Sequence, residues 1–329
     1  MEEFSVTIKP LTPIWTGDAN GKNSTLRETG IIGSLRWWYE ALIRGLGGYA
    51  CDPTNDDKCT LTGKEKSDKV RISKMCPACY LFGCTGWSRK FKVQVLDNHG
   101  NPKTNAIDDK NEEKKEEIVL KFIPLRKIEN EELALLNLTL YLIAKYGALG
   151  GKTVLKPSDE LNRKNKLHHQ DFGLIDITAS NLKMLTKEQL QAYVRDNRWR
   201  EPQKDDSFAW VSIQNFWCVN GKYLYRENTD ESSFNKVLGR KESKNISFQL
   251  EKTNDKVSKW LAGSQQESKK VFSFKNPPRT FGFVKPDIVN FEQLKERLKS
   301  VWGNENNWKF LKGDDIVDSL IQELLEGLK

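Results

Sequence analysis

The residues of this chain that could do chemistry gather in three places. The first is a run of cysteines. Cys76 and Cys79 form CPAC, and a C-P-x-C turn presents two thiolates to one metal ion, while Cys51 and Cys59 supply a second pair in the same stretch. Four thiolates around Zn²⁺ would staple a loop that lacks a core of its own. A site filled with sulfur is structural, because it leaves no open coordination position. Cys84 could replace one of the four. Buried or free thiols, or a redox pair, are the other readings of the same residues.

The second place is the segment Gly30 to Gly48, GIIGSLRWWYEALIRGLGG, with the polar loop before it. Arg36, Glu40 and Arg44 fall four apart and share one helix face. They read either as a salt-bridged surface or as cations facing a polyanion. Trp37 and Trp38 read either as core or as flat surfaces on which bases stack. Lys22, Asn23, Ser24, Thr25 and Arg27 are short polar or basic groups able to hold a nucleic-acid backbone at a helix N-terminus, where Gly33 and Ser34 permit close approach.

The third place is the loop Gly147 to Gly173. Its glycines, Gly150 and Gly151 among them, let backbone amides face phosphates. Lys152, Thr153, Lys156, Arg163, Lys164 and Lys166 give it a cationic character. It is not a phosphate-binding loop of the Walker type, since Gly147 to Thr153 is one residue short of that motif. His168 and His169 are adjacent and could serve as acid or base, or as ordinary loop residues. Two smaller clusters are Arg195, Arg198 and Arg200 around Trp199, and Lys275 to Arg279 with Phe281 and Phe283.

The elements that must position these residues follow from periodicity. Phe4, Val6 and Ile8 alternate as a strand, and Ile31, Leu35, Tyr39, Leu42 and Leu46 form a helical stripe. Phe91–Leu96 and Ile118–Leu125 read as two strands of a hairpin, with a solvated insertion at 97–117. Asn130, Glu131 and Glu132 open a buried helix, and Phe172–Ile177 reads as a fourth strand. The order strand, helix, strand, strand, helix, strand is the split βαβ, or ferredoxin-like, pattern. The fold class is therefore α+β with two ferredoxin-like domains. The first, 1–178, carries insertions at 49–90 and 97–117. The second, 179–329, is degenerate. In it, Leu185–Val194 reads as a helix, and Phe208–Val219 with Lys222–Tyr225 as a hairpin turning at Asn220-Gly221. Val271–Val284 is strand-like, Asn290 with Gln293 caps a helix to Trp302, and Asp314–Leu328 is amphipathic.

Composition narrows the class. A net charge of +8 favours a polyanionic partner. There is no run of about twenty apolar residues to span a membrane. The start, MEEFSVTIKP, has no signal-peptide pattern, which points to the cytoplasm and away from a disulfide framework.

Three segments carry a resemblance. LTPIWTGD, IIGSLRWWYEALIRGLGG and CPACYLFGCTGWSRKF resemble the RAMP superfamily of CRISPR RNA-guided effector proteins, with CPACYLFG fitting C-x-x-C-x-L-F-G. Within it, the tandem tryptophans resemble the first-subunit family of type III-B (Cmr) complexes. The resemblance implies two ferredoxin-like domains and a non-catalytic, RNA-binding role in antiviral defence. The protein would hold guide RNA, near its 3′ end, or target single-stranded RNA, beside other Cmr subunits. RNA-gripping positions would be Lys22, Asn23, Ser24, Arg27, Ser34, Arg36 and Trp37, with Gly150, Gly151, Lys152 and Thr153 as the glycine-rich loop. Arg44, Lys156, Arg163 and Lys164 add cations to the same two elements. Where the superfamily usually has an arginine-rich loop, this chain has Lys152 and Lys156. Asp18 lies in a loop, but nothing marks it as a catalytic aspartate. The alternative is a metal-independent RNA-processing endonuclease using His168 or His169.

Overall fold

The computed structural model describes residues 3–17, 22–52, 56, 58–107, 116–151, 170–202, 208–226, 232–242, 250–252, 255–263 and 267–327. In the first half, strand β1 (Phe4–Pro10) buries Phe4, Val6 and Ile8 and turns Ser5, Thr7 and Lys9 outward. Helix α1 (Glu28–Gly45) buries Ile31, Leu35, Tyr39 and Leu42 of the predicted stripe, and Leu46, its C-cap, is buried too. Two short helices, α2 (Asp68–Ile72) and α3 (Pro77–Phe82), lie in the cysteine-bearing insertion. The hairpin β2 (Phe91–Leu96) and β3 (Ile118–Pro124) follows, then α4 (Asn130–Tyr146) and β4 (Ile175–Ser180). The sheet order is β2-β3-β1-β4, antiparallel throughout. That order, with a helix in each crossover, is the ferredoxin-like arrangement that the element order predicts. Helix α5 (Lys187–Val194) is opened by a capping box of Thr186 and Gln189.

The second half repeats the plan. It runs β5 (Phe216–Asn220), α6 (Ser233–Leu238), the pair β6 (Arg240–Glu242) and β7 (Leu250–Lys252), α7 (Lys256–Ala262), β8 (Val271–Lys275), β9 (Pro278–Phe283), α8 (Phe291–Trp302) and β10 (Leu311–Lys312). The sheet order β10-β5-β9-β8 matches the first sheet strand for strand. The β6–β7 pair and α7 are inserted in the first crossover, and the last strand has shrunk to two residues. A core of Trp217, Val219, Phe234, Val271, Leu294 and Leu298 lies beneath this sheet. The final helix, α9 (Gly313–Glu326), buries Ile316, Val317, Leu320 and Ile321.

Three details differ from the expectation. Lys222–Tyr225 is not a strand, because both edges of β5 are taken by β9 and β10. Side-chain hydroxyls hold the segment instead: Leu224 N donates to Ser273 Oγ at 2.6 Å, and Thr280 Oγ1 donates to the Lys222 carbonyl at 3.0 Å. The described part of 97–117 is tied down, since the loop after β1 needs acceptors for its amides. Leu26 N donates to Thr104 O at 2.9 Å and Ile14 N to Ile107 O at 3.2 Å. The cap of α4 is Glu129, not Asn130, and it forms a capping box with Glu132.

The chain forms two compact units that do not divide at one point. One comprises Met1–Lys152, Gly173–Gln214 and Asp314–Lys329, the other Thr153–Phe172 and Asn215–Gly313. Thus α5 and α9 belong with the first sheet, where Lys187 pairs with Asp318 and Lys145 with Glu323. No helix among the described residues is long and apolar enough to cross a membrane.

One buried ion pair ties the insertion to α4. Lys90 Nζ lies 2.7 Å from Glu132, the two side chains being 2% and 0% exposed, and sits 3.4 Å from the Tyr80 ring centroid. Burial pushes Lys90 down, and burial pushes Glu132 up to about 7, each against its partner's pull. Lys90→Met strands the carboxylate in the core and is expected to cost about 3–5 kcal/mol in urea unfolding, whereas the apolar pair Lys90→Met with Glu132→Leu should recover most of that loss. Equal losses in both variants would show that the charges are not what matters there.

Candidate metal centre and nucleic-acid interface

The cysteine insertion is folded around sulfur. Cys76 is the N-cap of α3, with Pro77 in its first turn, so Cys76 and Cys79 fall on one side of a single turn. Leu61 N donates to Thr85 O at 2.8 Å, which brings the Cys59 segment beside that turn. Gly86, at φ +79°, allows the approach, since a Cβ there would stand 2.4 Å from the Leu61 carbonyl. The ligand atoms of Cys51, Cys59, Cys76 and Cys79 lie within 4.8 Å of one another, and all four residues are buried. Cys84 is half-buried and outside the set, its thiol directed at the Thr85 carbonyl.

The donor set fits a tetrahedral ion. Bonds of about 2.3 Å from zinc to sulfur give edges of about 3.8 Å. The Cys51–Cys79 and Cys51–Cys76 separations, 3.5 Å and 4.0 Å, bracket that length. Hydrogen bonds from the thiols of Cys59, Cys76 and Cys79 hold Cys51 far below its ordinary value. Burial, and then donation to Cys51, push Cys76 up. The cluster thus favours one thiolate, at Cys51, with protonated thiols around it.

Helix α1 holds the cluster from both sides. Arg36 donates from Nε to Glu40 at 2.7 Å, from one terminal nitrogen to the Gly83 carbonyl at 2.8 Å, and from the other to Cys79 Sγ at 3.2 Å. Arg44 donates to the carbonyls of Ala50 at 2.7 and 3.2 Å, Cys51 at 3.2 Å and Val211 at 3.1 Å. Glu40 is 2% exposed. Burial alone would lower Arg36, but Glu40 and Cys79 hold it above its ordinary value. The four-residue spacing did place these three residues on one face. That face turns inward onto the insertion, and the bonds of Arg36 and Arg44 are made to protein atoms.

The opposite end of α1 meets two loops. Asn23 Oδ1 accepts from Thr16 N at 3.0 Å, and its Nδ2 donates to Ile14 O at 3.1 Å, so Asn23 braces its own loop. Thr16 Oγ1 accepts from Arg27 N at 3.0 Å at the head of the helix. Lys22, Ser24 and Arg27 are exposed. Ser34 Oγ accepts the Gly150 amide at 3.0 Å, and Gly151 N donates to Trp15 O at 2.9 Å. Gly150 has φ +107°, and a Cβ there would meet the Trp15 carbonyl at 2.6 Å. Past the loop, Gly173 N donates to Pro13 O and its carbonyl accepts from Leu149 N, both at 2.7 Å. Both ends of the glycine-rich loop are therefore fastened to the β1–α1 loop. Of the two tryptophans, Trp38 is the buried one, donating to Ala148 O at 3.1 Å, and Trp37 is half-buried with its ring edge-on to Trp38 at 5.0 Å. Lys152, Thr153, Lys156, Arg163, Lys164, Lys166, His168, His169 and Asp18 lie outside the described residues.

Several residues acquire roles that spacing did not reveal. Arg200 directs a guanidinium nitrogen at Cys59 Sγ, 3.9 Å away. Arg195 donates to Leu46 O at 3.0 Å, and Arg198 pairs with Glu129 at 2.8 Å while lying over Trp199. The cluster around Trp199 thus braces the first unit. A thiolate group calls for nearby cations, and that is the signal by which Arg200 could have been sought.

A ferredoxin-like unit with a four-cysteine insertion after its first helix and a glycine-rich loop after its second, followed by a second unit of the same topology, is a double ferredoxin-like protein. Residues 7–155 match the family model of the RAMP superfamily. Among solved structures, the chain is similar to Cmr1 from Pyrococcus furiosus in its apo form, at 11% identity and TM-score 0.43, covering 95% of this chain and 99% of that one. It is also similar to a chain of the type III-B Cmr-beta complex bound to cognate target RNA, at 10% identity and TM-score 0.40 over 99% of each chain. A chain of a type IV-B CRISPR complex is similar at 16% identity and TM-score 0.36, covering 59% of this chain and 100% of that one. No curated protein matches the sequence.

The Ser34–Gly150 bond is directly testable. Ser34→Ala leaves one amide without its acceptor, which costs about 1 kcal/mol. Exchange of the Gly150 amide with solvent should then quicken roughly fivefold, while exchange in the sheet stays unchanged.

Proposed function

We propose that this protein is a non-catalytic RNA-binding subunit of a type III-B CRISPR effector complex. It would hold single-stranded guide or target RNA along the edge formed by the β1–α1 loop, the head of α1 and the glycine-rich loop, beside other Cmr subunits. The RAMP-superfamily match over residues 7–155 supports the class. The observation that carries the site is the joining of the two loops through Ser34, Gly150, Gly151 and Gly173. The exposed Lys22, Ser24 and Arg27 lie in and beside the β1–α1 loop that these bonds fasten.

The physical roles follow. Lys22 and Arg27 supply countercharge for phosphates, the head of α1 adds its partial positive charge, and Ser24 offers a hydroxyl. Trp37 offers a ring for stacking, and Lys152, Lys156, Arg163 and Lys164, outside the described residues, are candidate cations by their charge alone. Asn23, Ser34 and Gly150 shape the edge. Arg36 and Arg44 hold the insertion to α1. Cys51, Cys59, Cys76 and Cys79 would hold a structural Zn²⁺, whose role is to staple residues 51–84 to the helix that presents the edge.

Binding of a fluorescent single-stranded RNA of mixed sequence tests the site. The double variant Lys22→Glu, Arg27→Glu should bind at least tenfold more weakly. Its log Kd should also vary less with log salt, by about 0.7 for each phosphate that is no longer neutralised. Unchanged affinity in a folded double variant removes the edge from the RNA path. Specific cleavage of that RNA by the purified chain would overturn the non-catalytic assignment. For the metal, elemental analysis should give one zinc per chain, and Cys79→Ser should reduce that content and lower the unfolding midpoint.

A further inference from the structure

The cluster's surroundings carry a charge pattern that the four cysteines alone do not require. Four thiolates around one divalent ion bear two negative charges, and burying them uncompensated is expensive. Among the described residues, three guanidinium groups and one carboxylate sit against the cluster and its backbone. Arg36 donates to Cys79 Sγ at 3.2 Å, and Arg200 faces Cys59 Sγ at 3.9 Å. Arg44 grips the carbonyls of Ala50 and Cys51, and Glu40, 2% exposed, bridges back to Arg36. With Glu40 ionised, these four side chains leave two positive charges over. That excess equals the charge of a dianionic metal tetrathiolate and exceeds that of four neutral thiols or of two disulfides.

We propose that Arg36, seconded by Arg200, is a charge-matching positioning residue for a dianionic divalent-metal tetrathiolate, and that α1 is the template on which this centre assembles. The inference rests on the zinc reading above and assigns to the α1 face a role beyond RNA. The geometry of Arg36 suits it. Its fork reaches a sulfur and the Gly83 carbonyl at once, and Nε is fixed by Glu40, so the guanidinium plane is set before any metal arrives. Groups one shell out from a metal typically alter affinity by about 10–100-fold when removed.

The experiment separates charge from packing and needs no RNA. Full-length wild type, Arg36→Gln, Arg36→Lys, Arg200→Gln and Glu40→Gln are stripped of metal under reducing conditions. They are then titrated with Zn²⁺ against a chromophoric chelator and, separately, with Co²⁺. Wild type should show tetrahedral thiolate–cobalt absorption bands. Arg36→Gln should keep those bands and bind zinc about 10–100-fold more weakly, with Arg200→Gln weakened less and Arg36→Lys in between. Glu40→Gln keeps an oxygen for Arg36 Nε and removes a negative charge, so its affinity should equal or exceed that of wild type. Affinity unchanged in Arg36→Gln, or lowered as much in Glu40→Gln as in Arg36→Gln, overturns the proposal. Wild type that binds neither ion overturns the zinc reading itself, which is a separate outcome.

Discussion

Arg36 donates to a carboxylate, a carbonyl and a sulfur from one planar group. A guanidinium cannot be left half-satisfied in a protein interior, because a buried charge without partners costs several kcal/mol. That requirement fixes the distance between α1 and the turn carrying Cys76 and Cys79. Arg44, two turns along, fixes the other end of the insertion through the Ala50 and Cys51 carbonyls. Between these two clamps lie the four buried sulfurs, and Leu61, Met75, Leu81 and Phe82 are buried as well, Phe82 against Tyr39 of α1. Helix α2 adds no buried residue. The order of the insertion therefore depends on α1 and on whatever the thiols bind as well as on these side chains.

The same helix serves two opposed tasks, and its sequence divides accordingly. The stripe Ile31, Leu35, Tyr39 and Leu42 belongs to the core over the sheet, and the face Arg36, Glu40, Arg44 belongs to the insertion. What remains for an outside ligand is the helix head and the loops against it. There the small residues have distinct reasons. Gly150 and Gly173 must take left-handed backbone angles and lie against the carbonyls of Trp15 and Leu149, whereas a Cβ at Gly33 would meet nothing. Gly33 thus leaves bare helix backbone at the edge, a different use of glycine from the packing of loop on loop.

Much of the architecture was legible because it rests on periodicity and local capping. The alternation in Phe4–Ile8, the α1 stripe, and the Asn290–Gln293 box that opens α8 are each set by nearest neighbours. The four cysteines were legible too, since C-P-x-C constrains its own geometry. The partner of β5 was not. A strand beside Asn220-Gly221 suggests a hairpin, but pairing is decided by which edges are free, and β9 reaches β5 from some sixty residues away. Nor could spacing say where the Arg36 face points. Four-residue periodicity defines a face and is silent on whether water, RNA or protein lies against it.

The buried pair of Lys90 and Glu132 shows the same limit from another side. Lys90 stands one position before β2 and Glu132 in the first turn of α4, and nothing in either local sequence announces that they meet. Yet the pair does for α4 what Arg36 does for α1. Lys90 receives β-hairpin amides from Leu125 and Arg126 on its carbonyl, donates its own amide to Leu81 O, and sends its ammonium to Glu132. Glu132 in turn closes the capping box of α4 by accepting the Glu129 amide at 2.7 Å. Helices α1 and α4 are thereby each tied to the cysteine insertion by a cation, Arg36 on one side and Lys90 on the other. Displacing the insertion would expose or orphan charge at two places in the core. The insertion is therefore held to the unit by buried charge as well as by the apolar side chains it buries, Leu81 and Phe82 among them.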